Sequence, residues 1–329
     1  MRKIGDILET IVVVAILLVL VHTFLDDCSI IAGWAVASRK WIVWTGLAFD
    51  LFFTIEFFTR LYIALVNGEG AEYFLRQRGW IDFLASIPLL LLNSLPSAVA
   101  LLAGAGLVSG AGSFLNVLKV IKAVRIARIL RLLRVIKLFR SIRYAQSPMA
   151  QRHLSTIITV GVTILVFWSF GSAALERLGI LPGLETTYLQ GQTLRARSIT
   201  EGGPKGAALS ERAAAVAALD STVLAVREPG ARTAWSRHDP AYYAANFIPG
   251  DYGYFSAQGI EVFLDERPYA RALAREALVS FIAVVLTVLG YLFIYAPLFA
   301  LDITDPINVM RRGMAERGYT LEVKIPPGR

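Results

Sequence analysis

Lys119-Val-Ile-Lys122-Ala-Val-Arg125-Ile-Ala-Arg128-Ile-Leu-Arg131-Leu-Leu-Arg134-Val-Ile-Lys137-Leu-Phe-Arg140-Ser-Ile-Arg143 carries nine basic residues, one at every third position. The residues between them are nearly all apolar. A charge at mid-bilayer costs roughly 2.5–3.5 kcal/mol or more, so ionisable residues inside a membrane segment mark a function. Moving one charge across the membrane is worth about 2.3 kcal/mol per 100 mV, so a helix built this way feels voltage. Snorkelling of long basic side chains accounts for charges near helix ends. It suits Lys137, Arg140 and Arg143 at a cytoplasmic interface, but not a stripe running through the middle. On an α-helix each three-residue step turns by about 300°, so the stripe spirals. On a 3₁₀-helix it would run straight.

Composition agrees with a membrane protein. The chain has 329 residues, of which 56% are hydrophobic, and its mean hydropathy is +0.57. A soluble chain of this length would be far less apolar. The net charge of +8 does not point to nucleic acid, because much of the excess sits among Leu and Ile rather than on a solvated face. The single cysteine, Cys28, excludes an intrachain disulfide, and too few Cys and His are present for a zinc site. No phosphate-binding Gly loop, Cys-x₅-Arg loop or serine elbow occurs, so neither an enzyme nor a cofactor or metal is expected. The start, Met1-Arg-Lys-Ile-Gly-Asp before an apolar run, resembles a secretory signal. However, Ile7–Leu25 is long and no small-x-small site follows it, so a retained first membrane helix is expected.

About 20 apolar residues cross a bilayer. Six segments qualify: Ile7–Leu25, Trp41–Val66, Trp80–Leu95, Leu115–Phe139, Leu154–Leu175 and Ala277–Ala300. Pro88 and Pro96 leave the bounds of the third open, and the Gly-rich run Ser97–Ser113 that follows is itself apolar enough for the membrane. Arg2 and Lys3, Arg76 and Arg78, Arg140, Arg143 and Arg152, and Arg311, Arg312 and Arg317 all fall on one side of six spans. The positive-inside rule makes that side the cytoplasm, with both termini there. Arg39 and Lys40 are the exception, on an outer loop with Asp26 and Asp27.

Spans five and six are separated by about 100 residues of soluble composition. Within them Pro182–Pro204 reads as a loop and Ala207–Val226 as an amphipathic helix. Val223–Ser236 reads as a hairpin turning at Glu228-Pro-Gly-Ala, and Tyr252–Asp265 as a second hairpin near Ala257-Gln-Gly. Pro268 suits the first turn of a helix entering the last span. The expected fold is therefore an all-α membrane protein of six transmembrane helices, with a small extracytoplasmic α+β insert between helices five and six.

Buried basic residues need counter-charges. Asp50 and Glu56 in the second span and Asp82 in the third supply them. Here the chain resembles the voltage-gated cation channel superfamily, especially its voltage sensor. Phe53-Thr-Ile-Glu56-Phe-Phe-Thr-Arg60 fits that family's second-helix pattern, and Trp80-Ile-Asp82-Phe-Leu-Ala-Ser-Ile-Pro88 fits its third. The resemblance covers about residues 1–143. It implies that Phe53, Glu56 and Asp82 form a charge-transfer centre, with Asp50 as a further counter-charge. The gating charges it implies are Lys119, Lys122, Arg125, Arg128, Arg131, Arg134, Lys137, Arg140 and Arg143.

The other half follows the family less closely. Gly290 and Pro297, seven residues apart, resemble the hinge and bend of an inner pore helix, although Gly and Pro are common in membrane helices. No Thr-Val-Gly-Tyr-Gly string is present to present rings of carbonyls. Asp251-Tyr-Gly-Tyr-Phe lacks the preceding Thr-Val, and Leu184-Glu185-Thr-Thr offers one acid without a pore helix before it. Tyr242, Tyr243, Phe247, Tyr252, Tyr254 and Phe255 read first as the core of a small domain, and second as a ligand or subunit contact. His238-Asp239 is not by itself a site.

Six regions are expected: a voltage sensor at 1–143, a linker at 144–153, a fifth helix at 154–177, the insert at 178–272, a sixth helix at 273–302 and a short tail at 303–329. The leading expectation is a potassium-type, voltage-responsive cation channel with an atypical outer pore, in a bacterial-type inner or plasma membrane. Its expected partners are membrane lipids, further copies in a homotetramer or other homo-oligomer, a monovalent cation and an unknown extracellular ligand, with no nucleic acid. The runner-up is a non-conducting voltage- or ligand-sensing protein on the same scaffold. A third reading is a structural membrane protein whose basic helix serves assembly.

Overall fold

A computed structural model of the chain describes residues 2–75, 79–102, 184–202, 206–228 and 233–290, with single positions between 160 and 183 and Met310. The basic stripe Lys119–Arg143, the linker 144–153, most of Leu154–Leu175, Pro297 and nearly all of the tail lie outside the described residues.

Among the described residues three segments are long and apolar enough to cross a membrane: Thr10–Ile31, Val36–Val66 and Gly79–Leu102. The first belongs to α1 (Arg2–Ile31). It ends because Gly33 takes a left-handed φ of +65°, which lets the Trp34 N–H donate back to the Ser29 carbonyl at 2.9 Å. This closure satisfies a carbonyl that the helix end would otherwise orphan. The chain then re-enters as α2 (Val36–Val66), and both helices are longer than the apolar runs alone suggested. Ile16 and Val19 of α1 pack on Phe53 of α2.

The third span is broken. After a short helix, α3 (Gly70–Leu75), it runs as α4 (Gly79–Leu84), α5 (Ile87–Leu89), a π-turn (Leu90–Ser94) and α6 (Leu95–Leu102). Pro88 lacks an N–H and clashes with the preceding turn, and Ser86 leaves helical geometry at φ −125°. The π-turn precedes Pro96 and absorbs its missing hydrogen bond. The two prolines are thus adjustments inside one span rather than its ends, and residues 97–102 extend it beyond the expected Leu95.

The later residues form a four-stranded antiparallel sheet in the order β2-β1-β4-β3. Its strands are β1 (Val223–Arg227), β2 (Thr233–Ser236), β3 (Tyr252–Ala257) and β4 (Ile260–Asp265). All of β1 is buried, because the sheet is covered on both faces. Val223, Val226, Ile260, Val262 and Leu264 pack with residues of α7 (Leu184–Thr200) and α8 (Gly206–Leu219). Leu224, Ala225 and Phe263 pack with Tyr243 of α9 (Pro240–Asn246), Phe247, Tyr252 and Ala100 of α6. The alternation breaks at Leu224–Ala225, where the register with β4 also shifts, as a bulge requires.

Two expectations are corrected. Pro182–Pro204 is not a loop over its length, because α7 spans Leu184–Thr200. Its Gln192, Ala196 and Ile199 recur at i, i+4 and i+7 and are buried against the sheet. The helix expected to Val226 stops at Leu219, since the Asp220 carboxylate accepts both the N–H (2.8 Å) and the hydroxyl (2.7 Å) of Thr222. That local turn competes with further helix. The hairpin near Ala257-Gln-Gly stands as expected. Gln258 and Gly259 both have positive φ, 53° and 79°, the geometry of a two-residue hairpin loop. β2 pairs with β1 as the other hairpin requires, although its turn at 229–232 lies outside the described residues. From Arg267 the chain forms α10 (Arg267–Gly290), which runs along α1.

Candidate functional site: buried carboxylates between the second and third spans

Phe53, Asp50 and Asp82 are almost completely buried, at 0%, 2% and 2% exposure. Isolated buried carboxylates cost several kcal/mol each, so partners are required. Arg60 supplies one. Its guanidinium lies 2.7 Å from Glu56, one turn back on α2, and 3.6 Å from Asp82 of α4. Glu56 and Asp82 are thereby held around one cation. Tyr73 of α3 donates its hydroxyl to Asp82 at 3.1 Å. On the other side of Phe53, Asp50 accepts a hydrogen bond from the Ser94 hydroxyl in the π-turn, and the Asn93 amide approaches the same hydroxyl at 3.4 Å. The Phe53 ring stands edge-on to Phe52 and packs with Ile16 and Val19 of α1, at a helix position between Asp50 and Glu56.

Arg60 brings Glu56 and Asp82 together, with Phe53 three residues before Glu56 on α2 and Asp50 three before that. Tyr73, Asn93 and Ser94 escaped the sequence reading. Polar Asn93-Ser94 inside Leu89–Leu95 was the available signal, since polar residues in a span are rarely idle. Gly290 is the last described residue of α10, and no described atom lies within 4 Å of the Cβ it lacks. The nine basic positions lie outside the described residues.

A second polar contact joins the helical hairpin to the sheet. Arg39, in the first turn of α2, donates through both terminal nitrogens to Asp251, each at 2.8 Å. Asp251 is 1% exposed and Arg39 12%. The carboxylate also accepts the Ile248 N–H at 3.0 Å. Such a two-pronged pair is geometrically specific. Close by, Arg267 pairs with Asp265 at 2.7 Å and lies 3.8 Å over the Phe247 ring.

Of the aromatic stretch, Tyr243, Phe247 and Tyr252 are core, Tyr254 and Phe255 pack at its margin, and Tyr242 is exposed. Tyr243 donates to the Leu224 carbonyl at 2.7 Å, and Phe247 stacks on Tyr252 with centroids 5.1 Å apart. Burial, with Asp251 nearby, pushes the Tyr252 hydroxyl well above its ordinary pKa. Burial acts to raise Asp220, but the Thr222 bonds and Arg195 outweigh it and hold the carboxyl below its usual range. Asp239 caps α9 by accepting the Tyr242 N–H at 2.9 Å, and His238 lies against the Tyr242 ring. Among the described residues no group of His, Cys, Asp and Glu is disposed to hold a metal. Tyr252-Gly253-Tyr254 lies in β3 and pairs with Asp265, Leu264 and Phe263 of β4, so this stretch is a strand and not a carbonyl-lined filter.

Compared with known families, residues 6–183 match the family model described as ion transport protein. None of the curated proteins compared with the chain matches it, and none of the solved structures does.

Proposed function

The chain belongs to the ion transport protein family of voltage-gated ion channels, and from that membership we propose that it is a voltage-responsive, potassium-type cation channel with an atypical outer pore. In this reading six helices span the membrane and both termini are cytoplasmic. Residues 1–143 form the sensor, 144–153 couple it to the pore pair at 154–177 and 273–302, and 178–272 stand outside in place of a pore loop. Four copies, or another closed ring, surround the pore, because two helices cannot enclose one alone.

The observation that carries the proposal is the complete burial of Phe53, which lies between Asp50 and Glu56 along α2, beside the Arg60–Glu56–Asp82 cluster. Asp50, Phe53 and Glu56 are three residues apart on one helix, or about 4.5 Å of rise per step. The basic residues from Lys119 to Arg143 recur at the same three-residue step. Asp50 and Glu56 are two such steps apart, so when one basic side chain reaches Glu56 and Asp82 the next is passing Phe53 and the one after it arrives at Asp50, while the Phe53 ring keeps the two wet sides apart. Glu56 and Asp82 bring two negative charges and Arg60 one positive, so the cluster has room for a single passing cation. Neutralising Arg128 and Arg131 to Gln is expected to flatten or shift the charge–voltage curve. An unchanged curve in properly inserted protein would remove the basis of the proposal.

The second reading is a non-conducting voltage- or ligand-sensing protein. It is favoured by the strand pairing of Tyr252-Gly253-Tyr254, which uses backbone groups that a filter would turn towards ions.

A further inference from the structure

Where the turn between α1 and α2 meets the start of α10, there is a cleft of about 250 Å³. Its lining includes Gly33, Trp34, Arg39, Asn246, Arg267 and Arg271, with Asp251 at its wall. Three arginines thus line one small space that holds a single lining carboxylate. Asp251 is already committed to Arg39, and Asp265, behind the cleft, to Arg267. Among the described residues no hydrogen bond or ion pair engages Arg271, and its side chain is exposed.

The donor supply exceeds the acceptors. A guanidinium has five N–H donors. Arg39 uses one from each terminal nitrogen, and Arg267 uses Nε and Nη2, leaving Nη1 without a described acceptor. Arg267 and Arg271 are also like charges at i and i+4 on α10, a pairing that costs a helix unless an anion lies between them. Both sit in the first turns of a 24-residue helix, where the backbone dipole adds positive potential. Arg271 comes close because residue 33 is glycine. A Cβ there would stand 3.3 Å from its Nη2. Asn246 adds an amide edge and Trp34 a half-exposed indole.

We propose that this cleft binds a small oxyanion, a phosphate or carboxylate held between Arg271, Arg267 and Arg39. Planar guanidinium forks match such oxygens in pairs. The volume lies below the ~300–1,000 Å³ of pockets for drug-sized ligands, so the ligand presents one charged group rather than a large body. The cleft opens where the apolar run of α1 ends at Ile31 and that of α2 begins at Val36, a level that a lipid headgroup and a soluble anion can both reach. Binding there bears on Arg39, and through it on the join between α2 and the sheet. The site stands on the cleft alone and does not depend on conduction.

The test uses the full chain in neutral phosphatidylcholine nanodiscs, titrated with inorganic phosphate against chloride at constant ionic strength. A parallel set of nanodiscs contains phosphatidylglycerol. Thermal midpoint and bound phosphate or retained lipid are read in both. Stabilisation by phosphate in neutral discs identifies a soluble oxyanion, and stabilisation only in the doped discs identifies a headgroup. In either case Arg271→Gln is expected to weaken binding about tenfold. Arg271→Lys, which keeps the charge but loses the fork, is expected to fall between. Arg275→Gln, one turn further along α10 and outside the cleft, is expected to bind as the wild type does. No response to either anion, or equal responses from Arg271→Gln and Arg275→Gln, would overturn the proposal. Should Arg271→Gln fail to fold, wild-type binding by Arg271→Lys would overturn it as well.

Discussion

Phe53 is fully buried, with a carboxylate one helical step to either side, and its worth lies in what its removal would admit. Phe53→Ala opens the apolar plug to water and is expected to change the rate of sensor charge movement. Asp82→Asn removes one of the two charges held around Arg60. It is expected to shift the charge–voltage midpoint by tens of millivolts, because about 2.3 kcal/mol corresponds to one charge through 100 mV. Gating-current recordings check both, and unaltered kinetics and midpoint in the pair would argue against a charge-transfer role. Ser94→Ala strips Asp50 of its hydroxyl donor and is expected to act on the step before Phe53 rather than after it. A titrating residue lies elsewhere. Asp220 has a folded pKa below its ordinary value of 3.8, so its stabilising effect is complete above that range and is lost as pH falls through the folded value. The side chain is partly buried, at 21% exposure, and the effect is about 1 kcal/mol or less. Acid unfolding of Asp220→Asn is expected to fall less steeply below pH ~4 than that of the wild type.

At the scale of elements, the join between α2 and the sheet rests on Arg39 and Asp251. Breaking a buried pair from one side costs about 3–5 kcal/mol, and Arg39, which keeps some exposure, sets the expectation for Arg39→Gln at the lower end. Asp251→Asn is expected to cost as much or more, because the carboxylate also holds the Ile248 N–H. The double variant is expected to cost less than the sum, which thermal unfolding of the four proteins measures. In the β3–β4 turn, Gly259→Ala places a side chain at a φ of 79° and is expected to cost about 1–2 kcal/mol. That turn was legible in sequence because Gln-Gly between alternating apolar residues has few other uses. The helix α7 was not legible. Its first half is polar, and its buried face becomes visible only when the sheet it covers is known. The carboxylates of α2 and α4 could be read as partners because an acid in an apolar run must have one. Tyr73 could not, since nothing in its local sequence aims it at Asp82. Pro88 and Pro96 left the bounds of the third span open because a proline normally stops a helix, whereas a break and a π-turn carry the chain past both.

For the whole molecule, Arg39 had stood out as a basic residue on the side expected to carry few. Its pairing with Asp251 gives it a local reason to be there that the distribution of positive charge does not address. Ala100, near the end of the third span, is buried among the aromatic residues of the sheet, and α10 lies along α1. The sheet is therefore seated on the ends of the described spans rather than tethered to them. A sheet so seated can pass a change in its own state to α2, as the ligand-sensing reading requires. It can equally brace a pore formed by several copies, as the channel reading requires. The two part at conduction. The most direct test is voltage clamp of the purified, full-length protein in a planar bilayer, with potassium on one side and sodium on the other. The account predicts a voltage-dependent current that reverses near the potassium equilibrium potential. Absence of any ionic current from protein shown to be folded and inserted would contradict it.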